Sequence, residues 1–283
     1  MGTPVLPNRS ILTPTGGFLA SGFTHSINAY QGCSFANALC GTFCYAQHNQ
    51  WITRGRPWGL YGVKESVADL YVREYDRLKR PRRGAPRPLR IFMSSSTDPY
   101  LPQEKTLGRT RGLLEAMRER PPDALVIQTH HTMIQRDLDL IRDLSGLCSL
   151  RVSVTIETDM ASIPGFPPHV CPPEGRLRVL ELFRTSGVPT QATVSPLLPL
   201  ADPEGFARRL DRAGDRIILD HFLIGDGSPG GSRTRRTTFI RRLESAGLGA
   251  WAELDRLWEF RDLAEGILGR ERVLVSCDGF NTI

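Results

Sequence analysis

The stretch DALVIQTHHTMIQRDLDLIRDLSGLCSLRVSVTIE, residues 123–157, reads as strand, helix and strand. Ala124 to Thr129 opens with four apolar residues in a row, the pattern of a strand covered on both faces. Around Ile134 to Leu144 the apolar residues recur at helical spacing, and Leu150 to Ile156 is a second β-rich run. A strand that returns through a helix to another strand implies a right-handed crossover between parallel neighbours.

The alternation extends in both directions. Upstream lie a short strand at Thr24 to Tyr30, helical spacing at Val67, Leu70, Val72 and Tyr75, and a strand at Leu89 to Met93. A helix then follows whose Leu107, Leu114 and Met117 share one face. Between these, Lys79 to Arg90 carries three prolines and a glycine and is expected to be a surface loop. Downstream come a helix at Glu174 to Ser186, a strand at Thr190 to Ser195, a helix at Pro203 to Ala213 and a strand at Arg216 to Leu223. Six strands alternating with helices make an α/β protein with a parallel sheet, as an open or closed barrel or a doubly wound sheet. Past residue 225, a Gly/Ser/Arg loop, a helix at Ala250 to Leu268 and a short strand at Val273 to Ser276 follow without a long linker. The expectation is a single domain over 1–283, with a core of about 24–224 and a short C-terminal α/β extension, 225–283.

Composition narrows the class. With 283 residues, 40% hydrophobic and 23% charged, the chain can bury a large core and is neither disordered nor a disulfide-stapled miniature. No apolar run approaches the roughly 18–20 residues of a membrane span, and the first twenty residues lack a basic and then apolar leader. Leu6 breaks the myristoylation pattern that Gly2 would begin. A cytoplasmic protein with no membrane partner is therefore expected. The net charge of +6 invites an anionic partner. Only Lys64, Lys79 and Lys105 among the 36 basic residues are lysine, however, so a coding bias toward arginine accounts for the charge as readily.

Polar residues gather where strands end: Ser94 to Asp98, Thr129 to His131, Thr155 and Glu157, Ser195, and Asp220 with His221. Parallel folds bind ligands at the carboxyl ends of their strands, so these residues belong to one mouth. Just after the first strand, AYQGCSFANALCGTFCYAQ places Cys33, Cys40 and Cys44 within twelve residues. Metal ligation suits such a cluster in a reducing compartment better than a disulfide. A structural zinc could recruit His48 as its fourth ligand, whereas an iron-sulfur cluster on three cysteines would leave one iron open. A strand-end position favours the open iron, because a structural zinc has no need of the mouth.

These residues resemble the radical S-adenosylmethionine enzymes, and within them the spore photoproduct lyase-like branch. Phe43 before the last cysteine fits that superfamily's cysteine loop, although C-x6-C-x3-C departs from its usual C-x3-C-x2-C. TDPYLPQE (Thr97 to Glu104) is similar to the branch's TDPYQPxE. PPEGRL (Pro172 to Leu177), VSPLLP (Val194 to Pro199) and GDGSPGGSRTRRT (Gly225 to Thr237) are similar to its later segments, so that the resemblance covers roughly residues 24 to 240. It implies a partial TIM-type (β/α)6 barrel and a [4Fe-4S] cluster on Cys33, Cys40 and Cys44. It also implies S-adenosylmethionine chelated at the open iron, and an electron donor such as flavodoxin or ferredoxin. Reductive cleavage of the sulfonium would give a 5'-deoxyadenosyl radical that abstracts hydrogen from a substrate, whether nucleic acid, metabolite or peptide. The rival reading is a zinc-stabilised nucleic-acid-binding protein with a Cys3His site and no radical chemistry.

Other residues carry paired readings. Ser94, Ser95, Ser96 and Asp98 could accept hydrogen bonds from the ammonium of the cofactor, or cap a helix near Leu101. Phe43, Ser153, Glu157 and Arg176 are cofactor-binding candidates: Glu157 for a ribose hydroxyl or a cationic group, with Ser153 and Thr155 alternating along its strand, and Arg176 as a fork for a carboxylate. His130, His131 and His221 are read as satisfied polar groups. Cys148 is read as a structural thiol, and Cys171 as a hydrogen donor or without a role. Ser94 to Ser96 offers no cysteine donor at the second strand, which argues against literal DNA repair.

Overall fold

The computed structural model describes residues 4–80 and 87–283. Gly2 and the centre of the loop expected at Lys79 to Arg90 lie outside the described residues. Among the described residues eleven strands form two sheets: β1 (Val5–Leu6), β2 (Leu12–Pro14), β3 (His25–Ile27), β4 (Tyr30–Gln31), β5 (Gly62–Lys64), β6 (Arg90–Met93), β7 (Ala124–Thr129), β8 (Ser149–Thr155), β9 (Thr190–Val194), β10 (Ile217–Leu219) and β11 (Val273–Val275). The large sheet has the order β11-β10-β9-β8-β7-β6-β3-β2 and is parallel except where β2 meets β3. It remains open. Strands β1, β5 and β4 make a separate small sheet beside the cysteine loop.

Alternation along each strand sorts its two faces. Val152 and Val154 join Ile91, Leu125, Ile127, Ala192 and Val194 in the main aliphatic core. That core includes Leu113, Leu114 and Met117 of helix Arg109–Glu119 and Leu177 and Leu180 of helix Pro173–Thr185. Burying each such side chain is worth about 1.5–3 kcal/mol, so this face holds the sheet to its helices. The opposite face is mixed. Phe92, Val126 and Ile218 pack on Phe23 and Phe280, whereas Ser153 bonds to Thr193 and Gln191 instead of to apolar neighbours.

The expected elements recur with some changes. The strand expected at Thr24 to Tyr30 divides into β3 and β4, in different sheets. Asn28 ends β3: its Oδ1 accepts from the Ser96 amide and its Nδ2 donates to Ser95 Oγ. Leu107 does not share the face of Leu114, because Gly108, at φ +59°, closes a separate short helix, Glu104–Leu107. The helix expected from Ile134 begins as a 3-10 turn, Thr132–Asp137, before Leu138–Ser145. The helix expected at Ala250 to Leu268 starts at Asp255. Strand β10 stops at Leu219, since His221 Nδ1 accepts the Leu223 amide and caps a new helix, Phe222–Gly225. The segment read as an extension adds a seventh parallel strand, because β11 pairs with β10. Among the described residues no helix is long and apolar enough to cross a membrane.

Candidate active site

The cysteine loop folds as three successive 3-10 turns, Ser34–Asn37, Leu39–Thr42 and Tyr45–His48. Cys33 precedes the first turn, Cys40 lies in the second and Cys44 precedes the third, so each thiol sits at a bend. Gly41 lets the turns stack: a Cβ there would lie 2.1 Å from the Ala36 carbonyl oxygen. All three cysteines line one cavity of about 500 Å3, a volume typical of small-molecule sites. His48 is exposed and is not part of the cavity's lining.

The second strand end is tied to this loop. Thr97 Oγ1 donates to the Gly32 carbonyl oxygen at 2.6 Å, and the Tyr45 hydroxyl donates to the Ser95 carbonyl oxygen at 2.8 Å. Ser94, Ser95, Ser96 and Asp98 share the cavity with the cysteines and with Phe43, whose ring meets Phe239 edge-on. Glu104, the acid of TDPYLPQE, is fully buried and serves as an anchor. It accepts from the Thr110 amide, the Tyr30 hydroxyl and the Arg136 guanidinium.

A buried charge chain runs outward from Asp98. Its Oδ1 accepts from the Tyr100 amide and the Thr129 hydroxyl, and its Oδ2 accepts the His130 amide at 2.8 Å. The His130 ring stands between two carboxylates, with Nδ1 3.5 Å from Asp98 and Nε2 3.1 Å from Glu157. Arg176 closes the chain, its Nη1 2.6 Å from Glu157 Oε2. Burial would lower the His130 pKa, but its hydrogen bonds to Asp98 and Glu157 outweigh burial and raise it to about 9. Burial likewise opposes ionisation of Glu157, and the Arg176 charge overcomes it, holding the carboxyl well below its usual range. His130 is therefore an imidazolium at neutral pH, on the cavity wall.

The structure separates the expected site residues into two groups. Cys33, Cys40, Cys44, Phe43, Ser95, Ser96 and Asp98 meet around the cavity. Ser153, Glu157 and Arg176 lie behind its wall: Ser153 is bonded within the sheet, and Arg176 spends its guanidinium on Glu157, the Thr155 carbonyl and His169. Tyr45 and Gln128, passed over in the sequence, also line the cavity, as do His130 and His221, read there as satisfied polar groups, and Asp220, placed at the mouth without a role. Their strand-end positions were the available signal for His130 and Asp220, and partners distant in sequence supplied the rest. Of the arginines near 235, Arg233 lines the cavity, while Arg235 donates to the Gly230 carbonyl and lies over the Phe222 ring.

Burial raises the cysteine pKa values, Cys33 to about 12, Cys44 to about 11 and Cys40 well above normal. Thiols so placed are protonated until a cation replaces the proton, as metal binding does. Among the described residues no three His, Cys, Asp or Glu side chains are grouped to hold a single metal ion; a cluster, which takes one thiol on each of three irons, would draw on Cys33, Cys40 and Cys44 around the cavity. Cys171 is different. Burial would raise it, but hydrogen bonds from His131 and Thr132 bring it down to about 7, away from the cavity. The thiols of Cys148 and Cys277 donate to the Leu144 and Phe18 carbonyls.

Comparison with known proteins bears on the fold. No family model matches the chain. It is 30% identical over 181 residues to an uncharacterized protein of Methanocaldococcus jannaschii, covering 63% of this chain and 62% of that one. It is also 30% identical over 206 residues to an uncharacterized protein of Acidianus two-tailed virus, covering 69% of this chain and 63% of the other. The chain thus matches about three-fifths of the length of these relatives. Among solved structures it resembles spore photoproduct lyase complexed with dinucleoside spore photoproduct. The TM-score is 0.59 and the identity 14%, over 96% of this chain and 81% of that one. A variant of the same lyase gives a TM-score of 0.62 at 14% identity and the same coverage. The fold is the open, partial TIM-type barrel of that enzyme.

Proposed function

We propose that the chain is a radical S-adenosylmethionine enzyme with its [4Fe-4S] cluster on Cys33, Cys40 and Cys44. One observation carries this reading: three thiols spaced six and three residues apart all face one cavity at the carboxyl ends of parallel strands. The fold it shares with spore photoproduct lyase supports it. When bound, the cluster and S-adenosylmethionine together supply a one-electron reductive cleavage and a radical that abstracts hydrogen.

This chain's residues bind and orient. The Ser95 and Ser96 hydroxyls and the Asp98 carboxylate offer acceptors for the cofactor's ammonium. Asp98 is fit for this because it stays ionised; burial disfavours its charge, but the His130 hydrogen bond and charge prevail. Phe43 and the rings around it exclude water from the cysteine loop. Glu157 and Arg176 act from behind the wall, holding His130 and through it Asp98. An electron carrier of the flavodoxin or ferredoxin type supplies the reductant, and the remaining cavity takes the substrate.

An anaerobic preparation tests the assignment. A brown protein with about four irons and four sulfides per chain, cleaving S-adenosylmethionine under reduction, is the expected result. Each of Cys33→Ala, Cys40→Ala and Cys44→Ala should abolish the cluster's absorbance and the cleavage. A colourless protein with one zinc, or a Cys40→Ala variant with full iron and turnover, would overturn it.

A further inference from the structure

The cavity extends beyond the cysteines and Asp98 to a second carboxylate, Asp220, at the end of β10. Asp220 is only 3% exposed. Its Oδ1 accepts the His221 amide at 2.9 Å and its Oδ2 the Ser195 hydroxyl at 3.1 Å. Glu157, Asp137 and Glu104 have cations in Arg176, Arg111 and Arg136, whereas the buried Glu74 and Asp226 carboxylates accept from amide and hydroxyl donors and face no paired cation among the described residues. Asp220 has none among the described residues. Its neighbour His221 supplies no positive charge either, because burial lowers the His221 pKa to about 4. Burial raises Asp220 itself to about 6, against the hydrogen bonds of Ser276, His221 and Ser195, and Asp226 adds repulsion.

The surroundings are arranged around this carboxylate. Gly225 makes room for it, since a Cβ there would lie 1.8 Å from Asp220 Oδ2. Phe18, Leu19, Phe92, Phe222 and Phe280 line the same cavity, so apolar and aromatic surface stands with the acid. Gln128, also on the wall, has a buried side-chain oxygen with no hydrogen-bond donor.

We propose that Asp220 is a substrate-binding residue, and that the substrate carries a protonated nitrogen, an amine, amidine or guanidine, on an apolar or aromatic body. This rests on the reading of the cavity as an active site and deepens it. An unpaired buried carboxylate is costly, and an incoming cation relieves that cost while the aromatic rings hold the body and face its charge.

The test uses the full chain with its cluster reconstituted, saturated with S-adenosylmethionine, and three probes of similar shape. These are 2-phenylethylamine, 2-phenylethanol and 3-phenylpropionate, titrated by calorimetry at pH 7.5. The amine should bind at least about tenfold more tightly than the alcohol, and the carboxylate least. Asp220→Asn should bring amine and alcohol within about twofold of each other. A measurement on the unaltered chain guards against a variant that fails to fold: amine affinity should fall as the pH drops from 7.5 to 5, while alcohol affinity stays level. Equal affinities, a preference surviving in Asp220→Asn, or no saturable amine binding would each overturn the proposal. Iron content and cofactor cleavage, measured on the same samples, report separately on the radical-enzyme reading.

Discussion

Thr97 Oγ1 donates a 2.6 Å hydrogen bond to the carbonyl oxygen of Gly32, across 65 residues of sequence. The turn after β6 and the root of the cysteine loop are thereby one unit, and the Thr97 side chain is buried with its partner. Thr97→Val should leave the Gly32 carbonyl unsatisfied and cost about 1–3 kcal/mol of stability. Thermal unfolding and iron content after reconstitution should both fall, and Thr97→Ser should restore them. A valine variant with unaltered unfolding and full iron would mean that the loop holds itself.

Ser96 offers a clean probe of cofactor binding, since its hydroxyl lines the cavity while its amide already bonds to Asn28. Ser96→Ala should weaken S-adenosylmethionine by one charge-assisted hydrogen bond, about 1.5–3 kcal/mol, with the cluster intact. Equilibrium binding to the reconstituted protein measures this. Unchanged affinity would return Ser96 to the role of a turn residue.

The chain through His130 makes stability depend on pH in two directions. The His130 pKa rises from 6.5 to about 9 on folding, so its contribution is complete below about 6.5 and is lost as the pH climbs through about 9. Glu157 has the opposite sign: its depressed pKa contributes above the ordinary glutamate range near 4.5 and is lost on acidification. Denaturant unfolding from pH 6 to 10 should therefore show a decline that His130→Gln flattens. Equal slopes in the two proteins would place the titration elsewhere.

Arg176→Met tests the other end of the chain. It leaves Glu157 buried with His130 as its remaining cation, and breaking a buried pair costs up to about 3–5 kcal/mol. A double change, Arg176→Met with Glu157→Gln, should recover part of that loss. If the single variant unfolds like the parent, the pair contributes nothing to stability.

Arg233, Arg235 and Arg236 bear on whether nucleic acid is the substrate class. Affinity for duplex or single-stranded DNA should fall steeply between roughly 50 and 200 mM salt if they meet phosphate, with a log-log slope of about −0.9 per duplex phosphate neutralised. Replacing all three by alanine should flatten the slope. No binding at low salt removes nucleic acid and leaves a metabolite or peptide.

Local chemistry made much of this legible in the sequence. Strand β7 occupies Ala124–Thr129 and helix Pro203–Ala213 its expected bounds, because continuous apolar runs and a Pro-started helix with an Asp202 cap depend on near neighbours. The cysteine loop announced itself by residue type and spacing, and strand-end polarity marked the mouth. Long-range pairing was not legible. Asn28 cuts the first strand by reaching Ser95 and Ser96, and β11 joins the sheet through β10. Glu157 and Arg176 satisfy each other behind the wall, while His130 and Asp220 come forward onto it. A buried charge must find a partner, and which partner is near is decided only when the strands are side by side.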